Sequence, residues 1–286
     1  MCRHLVYLGS PVSLGRVLSD PEHSLVRQSW EPRRQRHGTV NADGFGVGWY
    51  AEGDPVPARY RRAGPIWGDP AFGDLARVVR SGAVLAAVRD ATRPGSDGEA
   101  AAAPFAEGRW LFSHNGMLRD WPDAVAPVAA GLPPQELLSL AARTDSALIW
   151  ALVLHRLRSD PGPDPDLGAA LAGAVGELAR ASPGSRLNLL LTDGRAVAAT
   201  AWGDSLWYLA DAAARRTVVA SEPYDDDPRW CEVPDRTLLT ATRTQVDLTP
   251  LKATPAGPPP APENAPENAP HASHARPAPH QGDEGP

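Results

Sequence analysis

Residues Met1–Leu8 read MCRHLVYL, and the second of them decides how the rest is read. The chain has 286 residues and two cysteines, and one cysteine stands directly behind the initiator methionine, where chains usually fray. The letters that follow it are a strand pattern. Two readings are open. Met1 stays, and Cys2 is a small residue at the start of the first strand. Or Met1 is removed, as aminopeptidases do before a small second residue, and the mature chain begins with cysteine. That single residue then carries a thiol of pKa about 8.5 and a free α-amine of pKa about 7.7–8.0. The amine can take the thiol proton and later pass one to a leaving group. Nucleophile and base then arrive together, with no separate histidine.

Composition narrows the function classes. A formal net charge of -6 leaves no basic footprint for nucleic acid. No run approaches the roughly 18 apolar residues of a membrane span, and the start has no long apolar core or small-residue cleavage site of a signal peptide. Cys2 and Cys231 could form one bridge at most and have no metal spacing. A reduced, cytoplasmic protein without metal or cofactor is expected. Cys231 is read as structural.

From Thr254 the composition collapses into TPAGPPPAPENAPENAPHASHARPAPHQGDEGP, with APEN repeated at Ala261 and Ala265. Such a segment cannot bury enough apolar surface to offset its ordering entropy. The expected organisation is one domain over residues 2–253 and a disordered Pro/Ala-rich tail over 254–286. Within the domain, strand patterns fall at 2–8, 44–51, 84–89, 109–114, 186–192, 196–202, 205–209 and 217–221. Helical patterns fall at 70–80, 134–142, 144–158 and 167–181. Helices cluster in the middle and strands at both ends, which predicts an α+β fold with largely antiparallel sheets.

Four further stretches carry residues suited to chemistry. In LFSHNGML, Asn115 can donate from its amide and Gly116 from an unobstructed backbone N–H, as an oxyanion requires; Asn-Gly is also the commonest hairpin-turn signal. In AAVRDATRP, Arg89 closes an apolar run with a planar fork suited to a carboxylate, with Thr92 nearby, or is a surface arginine in a salt bridge. In RTDSALIW, Asp145 stands at the mouth of a buried helix, as an N-cap or as a partner for an ammonium group. NADGFGVGWY has glycines at 44, 46 and 48 without the spacing of a phosphate loop, which suits close backbone approach in a strand instead.

Taken in order, a leading cysteine, NADGFGVGWY, VRDAT, FSHNG and RTDS closely resemble the class II glutamine amidotransferases, which are N-terminal-nucleophile hydrolases. The resemblance implies a four-layer αββα sandwich. It implies Cys2 as nucleophile and Asn115 with Gly116 as oxyanion hole. Arg89 would grip the α-carboxylate of a γ-glutamyl group, with Thr92 beside it, and Asp145 would hold the α-ammonium. This division suits a zwitterionic head group. Two positions depart from the common pattern: Ala87 stands where many members have histidine, and Ala147 where many have an acid.

The stretches CRHLVYLG, RQSW (Arg27–Trp30), NADGFGVGWY and SEPYDDDPRW (Ser221–Trp230) look like those of the amidohydrolases of ergothioneine biosynthesis. That branch removes glutamate from γ-glutamyl hercynylcysteine S-oxide, so a small-molecule γ-glutamyl substrate is implied. The trimethylammonium of such a substrate would attract aromatic faces, with Trp30 and Trp49 as candidates and Asp225, Asp226 and Asp227 as an acidic run facing the same cation. Two other readings stay open: a glutaminase subunit feeding ammonia to a separate synthetase, and a non-enzymatic γ-glutamyl-binding module.

Overall fold

The computed structural model describes residues 2–91 and 98–252. Thr92 and the expected tail from 254 onward lie outside the described residues. In chain order the elements are β1 (Arg3–Ser13), α1 (Leu14–Leu18), α2 (Leu25–Gln28), β2 (Phe45–Trp49), β3 (Ala58–Arg62), α3 (Phe72–Val78), β4 (Arg80–Val88), β5 (Phe105–Glu107) and β6 (Trp110–Met117). There follow α4 (Ala126–Ala129), α5 (Pro134–Leu138), α6 (Asp145–Ser159), α7 (Leu167–Ala181), β7 (Arg186–Thr192), β8 (Val197–Ala201), β9 (Trp207–Asp211), β10 (Arg216–Ala220), β11 (Cys231–Glu232), β12 (Thr237–Ala241) and β13 (Val246–Pro250).

The period of two in β1 sorts its side chains between two cores. Leu5 and Tyr7 pack with Leu14, Val17, Leu18 and Phe72 under the small helices. Val6 and Leu8 turn the other way and meet Leu111, Leu190 and Ala199 of the second sheet. The same division recurs in β7, where Leu189 and Leu191 face Ile149, Leu171 and Leu178 of α6 and α7 while Leu190 faces inward. The layers are therefore helix, sheet, sheet, helix: the four-layer αββα sandwich, an α+β fold. One sheet runs β11-β9-β10-β1-β4-β2-β3 and the other β13-β12-β8-β7-β6-β5, with every described pairing antiparallel.

Both long helices start on side-chain caps. Thr144 Oγ1 accepts the Ala147 N–H at 3.3 Å, and Asp166 Oδ1 accepts the Ala169 N–H at 3.0 Å. The stretch ALIWALVL of α6 is buried throughout, as its apolar faces require.

The alternate glycines of β2 bring the sheets together. A Cβ on Gly46 would overlap the carbonyl oxygen of Ala103, and one on Gly48 would lie 2.7 Å from a methyl of Leu111. The Asn115–Gly116 pair is not a hairpin. Both residues pair with β7, opposite Asn188 and Leu187, and the strand continues to Met117. Other differences from the sequence pattern are short or polar elements. β3 reads ARYRR with no buried residue, and α1 and α2 are five and four residues long.

Gly46→Ala should lower the unfolding free energy by about 1–3 kcal/mol, the usual cost of overpacking. Gly73→Ala, where a Cβ meets nothing within 4 Å, should be neutral or slightly stabilising. Urea unfolding of the two variants beside wild type checks the contrast.

Candidate active site

Strand pairing sets the site at one end of the two sheets. Arg3 pairs with Val88, so the residues flanking that pair, Cys2 and Arg89, emerge together where β1 begins and β4 ends. Gly116 is the penultimate residue of the facing strand β6. A cavity of about 290 Å³ opens there, lined by Cys2, Arg89, Gly116 and Asp145 along with Asp90 and Trp121. Residues drawn from four separate stretches of sequence thus meet around one space. Asn115 is fully buried behind it.

Cys2 is half-buried, and the Asp90 backbone N–H hydrogen-bonds to it. Burial pushes its thiol pKa up. The Asp90 N–H and the Arg89 guanidinium pull it down more weakly, and Asp145 adds to the upward push.

Arg89 is bracketed by the NADG turn. Its N–H donates to the Gly44 carbonyl at 2.8 Å, its carbonyl accepts the Asp43 N–H at 2.9 Å, and its Nη1 donates to the Asp43 carbonyl at 3.2 Å. Asp43 Oδ2 accepts the Ala91 N–H at 2.7 Å. Asn41 anchors the turn in its own direction: its N–H donates to Ser29 at 2.6 Å and its Nδ2 to the Gln28 carbonyl at 3.3 Å. This is the physical content of the RQSW and NADG stretches.

Asp145 is not the cap of α6, since Thr144 holds that position. Its Oδ2 accepts the Leu118 N–H at 3.0 Å and its Oδ1 the Ser146 N–H at 2.8 Å. The carboxylate is thereby fixed at the positive end of a long helix, facing the cavity.

Below the cavity runs a buried polar seam. His4 Nδ1 and Ser113 Oγ lie 3.1 Å apart and join the two sheets. Ser221 Oγ accepts the His4 backbone N–H at 3.1 Å and the Asn115 Nδ2–H at 3.3 Å. Ser221 returns its own N–H to the His4 carbonyl at 2.9 Å. His114 reaches Ser146 Oγ at 2.9 Å and the Arg186 carbonyl at 3.0 Å. Among residues that sequence reasoning did not single out, Asp43, His4 and Ser221 hold the site together. Asp43 lies in a quoted stretch, but its side-chain role needs the fold to be seen.

Several sequence expectations are corrected here. Asp225, Asp226 and Asp227 do not line the cavity. Asp225 accepts the Trp230 indole N–H at 2.7 Å, Asp226 pairs with Arg33 at 3.1 Å, and Asp227 pairs with Arg229 at 2.6 Å. Trp30 packs edge-on against Trp67 at 5.6 Å, and Trp49 packs on the outer face of its sheet. The tryptophan at the cavity is Trp121. Cys231 is exposed on β11 rather than packed.

The family model of class-II glutamine amidotransferases matches residues 19–214. The chain belongs to this family. Among curated proteins it is 44% identical over 252 residues to the γ-glutamyl-hercynylcysteine sulfoxide hydrolase of Mycolicibacterium smegmatis, covering 88% of this chain and 100% of that one. It is 41% identical to the protein of the same name from Mycobacterium tuberculosis, over 88% of this chain and 97% of the relative. Among solved structures, a glutamine aminotransferase class-II domain protein of Silicibacter pomeroyi superposes with a TM-score of 0.62 at 26% identity, over 88% of this chain and 100% of that one. The class-II amidotransferase assignment therefore rests on sequence and fold together. Among the described residues no helix is long and apolar enough to cross a membrane.

The seam generates a pH dependence. Burial, with smaller contributions from Arg3 and His114, holds the His4 imidazole well below the ordinary histidine value of 6.5. The folded protein then binds fewer protons than the unfolded chain, so this contribution to stability is present above pH 6.5 and is lost as pH falls. The expected slope is about 1.4 kcal/mol per pH unit below 6.5 until the folded-state value is reached. His4→Gln should show a shallower fall between pH 7.5 and 5.5 in denaturant unfolding.

Proposed function

We propose that this chain is an amidohydrolase that cleaves the γ-glutamyl amide of γ-glutamyl-hercynylcysteine sulfoxide, releasing glutamate and hercynylcysteine sulfoxide, within ergothioneine biosynthesis. The observation that carries the reading is the match at 44% identity to the whole length of a hydrolase of that name, in a chain whose cavity collects Cys2, Arg89, Gly116 and Asp145.

The chemistry begins once Met1 has been removed. Burial raises the Cys2 thiol, so a thiolate does not form unaided near neutrality. The α-amine of the same residue takes the proton as sulfur attacks the γ-carbonyl. The carbonyl π electrons move onto oxygen, and Asn115 and Gly116 supply the donors that stabilise it. The ammonium returns the proton to the leaving cysteinyl nitrogen as the C–N bond breaks. Water, deprotonated by the amine, then attacks the γ-glutamyl thioester and displaces the Cys2 sulfur, and glutamate leaves. Arg89 and Thr92 bind the α-carboxylate of the γ-glutamyl head. Asp145, with its oxygens already fixed by two backbone N–H groups, binds the α-ammonium. Both cysteines are unbridged, which suits a thiol enzyme of the reducing cytoplasm.

The test is glutamate release by the purified protein with the sulfoxide and with glutamine offered in parallel. Strong turnover of the first and little of the second is expected. Turnover of glutamine alone would assign the chain to ammonia supply instead. Cys2→Ala should abolish turnover, and Asn115→Ala should lower kcat on the order of 100-fold. A form carrying one extra residue before Cys2 keeps the thiol but loses the free amine, and it too should be inactive.

A further inference from the structure

A second cavity of about 260 Å³ lies against the first. The two share Asp90, Ala91, Gly116 and Met117, and the second is completed by His37, Gly38 and Arg186. Gly116 therefore stands on the boundary between them. On the reading proposed above, the scissile carbonyl sits at Gly116 and the γ-glutamyl head fills the first cavity. The leaving half must then occupy the second. Its chemistry is partly fixed whatever its far end carries: the leaving nitrogen belongs to a cysteine, whose Cα bears a carboxylate. That negative charge is forced to lie two bonds from the nitrogen, just across the boundary.

Arg186 is built to meet it. Its Nε pairs with Asp204 at 3.1 Å, and the Asp204 carboxylate is itself 1% exposed. Among the described residues this pair engages Nε, so the Nη edge remains for a carboxylate. The Arg186 carbonyl receives His114 Nε2 at 3.0 Å, and the same carbonyl is the atom that a Cβ on Gly116 would overlap. The Arg186 backbone is thus locked against the boundary residue. Its side-chain stem passes over Gly203, where a Cβ would come within 3.1 Å of Cγ. On the opposite side, the loop bearing His37 is tied down by Glu222, whose carboxylate accepts the backbone N–H groups of Arg33 at 3.0 Å and Arg34 at 2.7 Å.

We infer that Arg186 is a specificity-determining residue that binds the α-carboxylate of the leaving amino acid in the second cavity. It directs the enzyme to γ-glutamyl amides of α-amino acids over simple γ-glutamyl amides. This rests on the function proposed above, and the experiment separates the two.

kcat/KM is measured for γ-glutamyl-hercynylcysteine sulfoxide and for γ-glutamyl methylamide, which keeps the head but has no leaving carboxylate. In Arg186→Gln the ratio of the two values should fall tenfold or more, with the loss carried by KM for the sulfoxide, and Arg186→Lys should restore part of it. A ratio that stays constant, whether both values hold or both fall together, overturns the inference. Unaltered protein supplies a second measurement should the variants not fold. γ-Glutamyl-S-methylcysteine sulfoxide should be cleaved at least tenfold more efficiently than its α-carboxamide, and equal values overturn the inference. A wild-type enzyme that cleaves the methylamide but not the hercynyl substrate overturns the proposed function, and this assignment with it.

Discussion

The hydroxyl of Ser221 joins three strands at the point where the chemistry is proposed. It accepts a backbone N–H from His4 on β1 and an amide N–H from Asn115 on β6, and its residue directly follows β10. With His4 and Ser113 bridging the sheets beside it, this seam fixes how far apart the two sheets stand at their open end. All four residues are fully buried. Hydrogen bonds in such surroundings are strong and leaving one unmade is costly, so the seam sets register more than it adds net stability. Everything at the cavity depends on that spacing. Cys2 precedes β1, Arg89 follows β4, and Gly116 is the penultimate residue of β6, so a change in sheet separation would move Cys2 relative to Asn115 and Gly116.

The electrostatics of the cavity follow from the same construction. Arg89 follows a strand and Asp145 begins a helix of another layer, yet both lie close enough to Cys2 to act on its thiol in opposite senses. Each is held by backbone groups: Arg89 by the Asp43–Gly44 turn, and Asp145 by the N–H groups of Leu118 and Ser146. Within a cavity that Asp90, Asp120 and Arg143 also line, the fixed Arg89 cation and the fixed Asp145 anion form a pair complementary to a zwitterion. Burial works against the thiolate, which is why the proposed mechanism places the proton acceptor on the nucleophile's own residue.

Much of this was legible in the sequence because the strands carrying the site are apolar and alternate cleanly. The patterns at 2–8, 84–89 and 186–192 found β1, β4 and β7. α6 and α7 were found within a residue of their limits, since each has a side-chain cap and a long apolar face. What escaped was short, polar or dependent on tertiary contact. β3 is an arginine-rich edge strand, and β13 is exposed over four of its five residues. The Asn-Gly pair looks like a turn locally, and only the ladder to β7 keeps it extended. The stretches containing Cys2, Arg89, Gly116 and Asp145 each allowed an ordinary structural reading, and only their order along the chain pointed to one shared site. The acidic run misled because three consecutive aspartates look unpartnered until Trp230, Arg33 and Arg229 fold onto them. Arg186 gave no signal, since a strand that starts with arginine is ordinary.

The central claim is that the amino-terminal cysteine becomes acylated. Wild-type protein mixed with γ-glutamyl-hercynylcysteine sulfoxide and quenched in acid within the first turnover should gain the mass of one γ-glutamyl group. Peptide mapping should place that group on a first peptide that begins with Cys2 and lacks Met1. Glutamate release with no adduct at Cys2, with the group on another residue, or with Met1 still attached to the active protein would contradict the account.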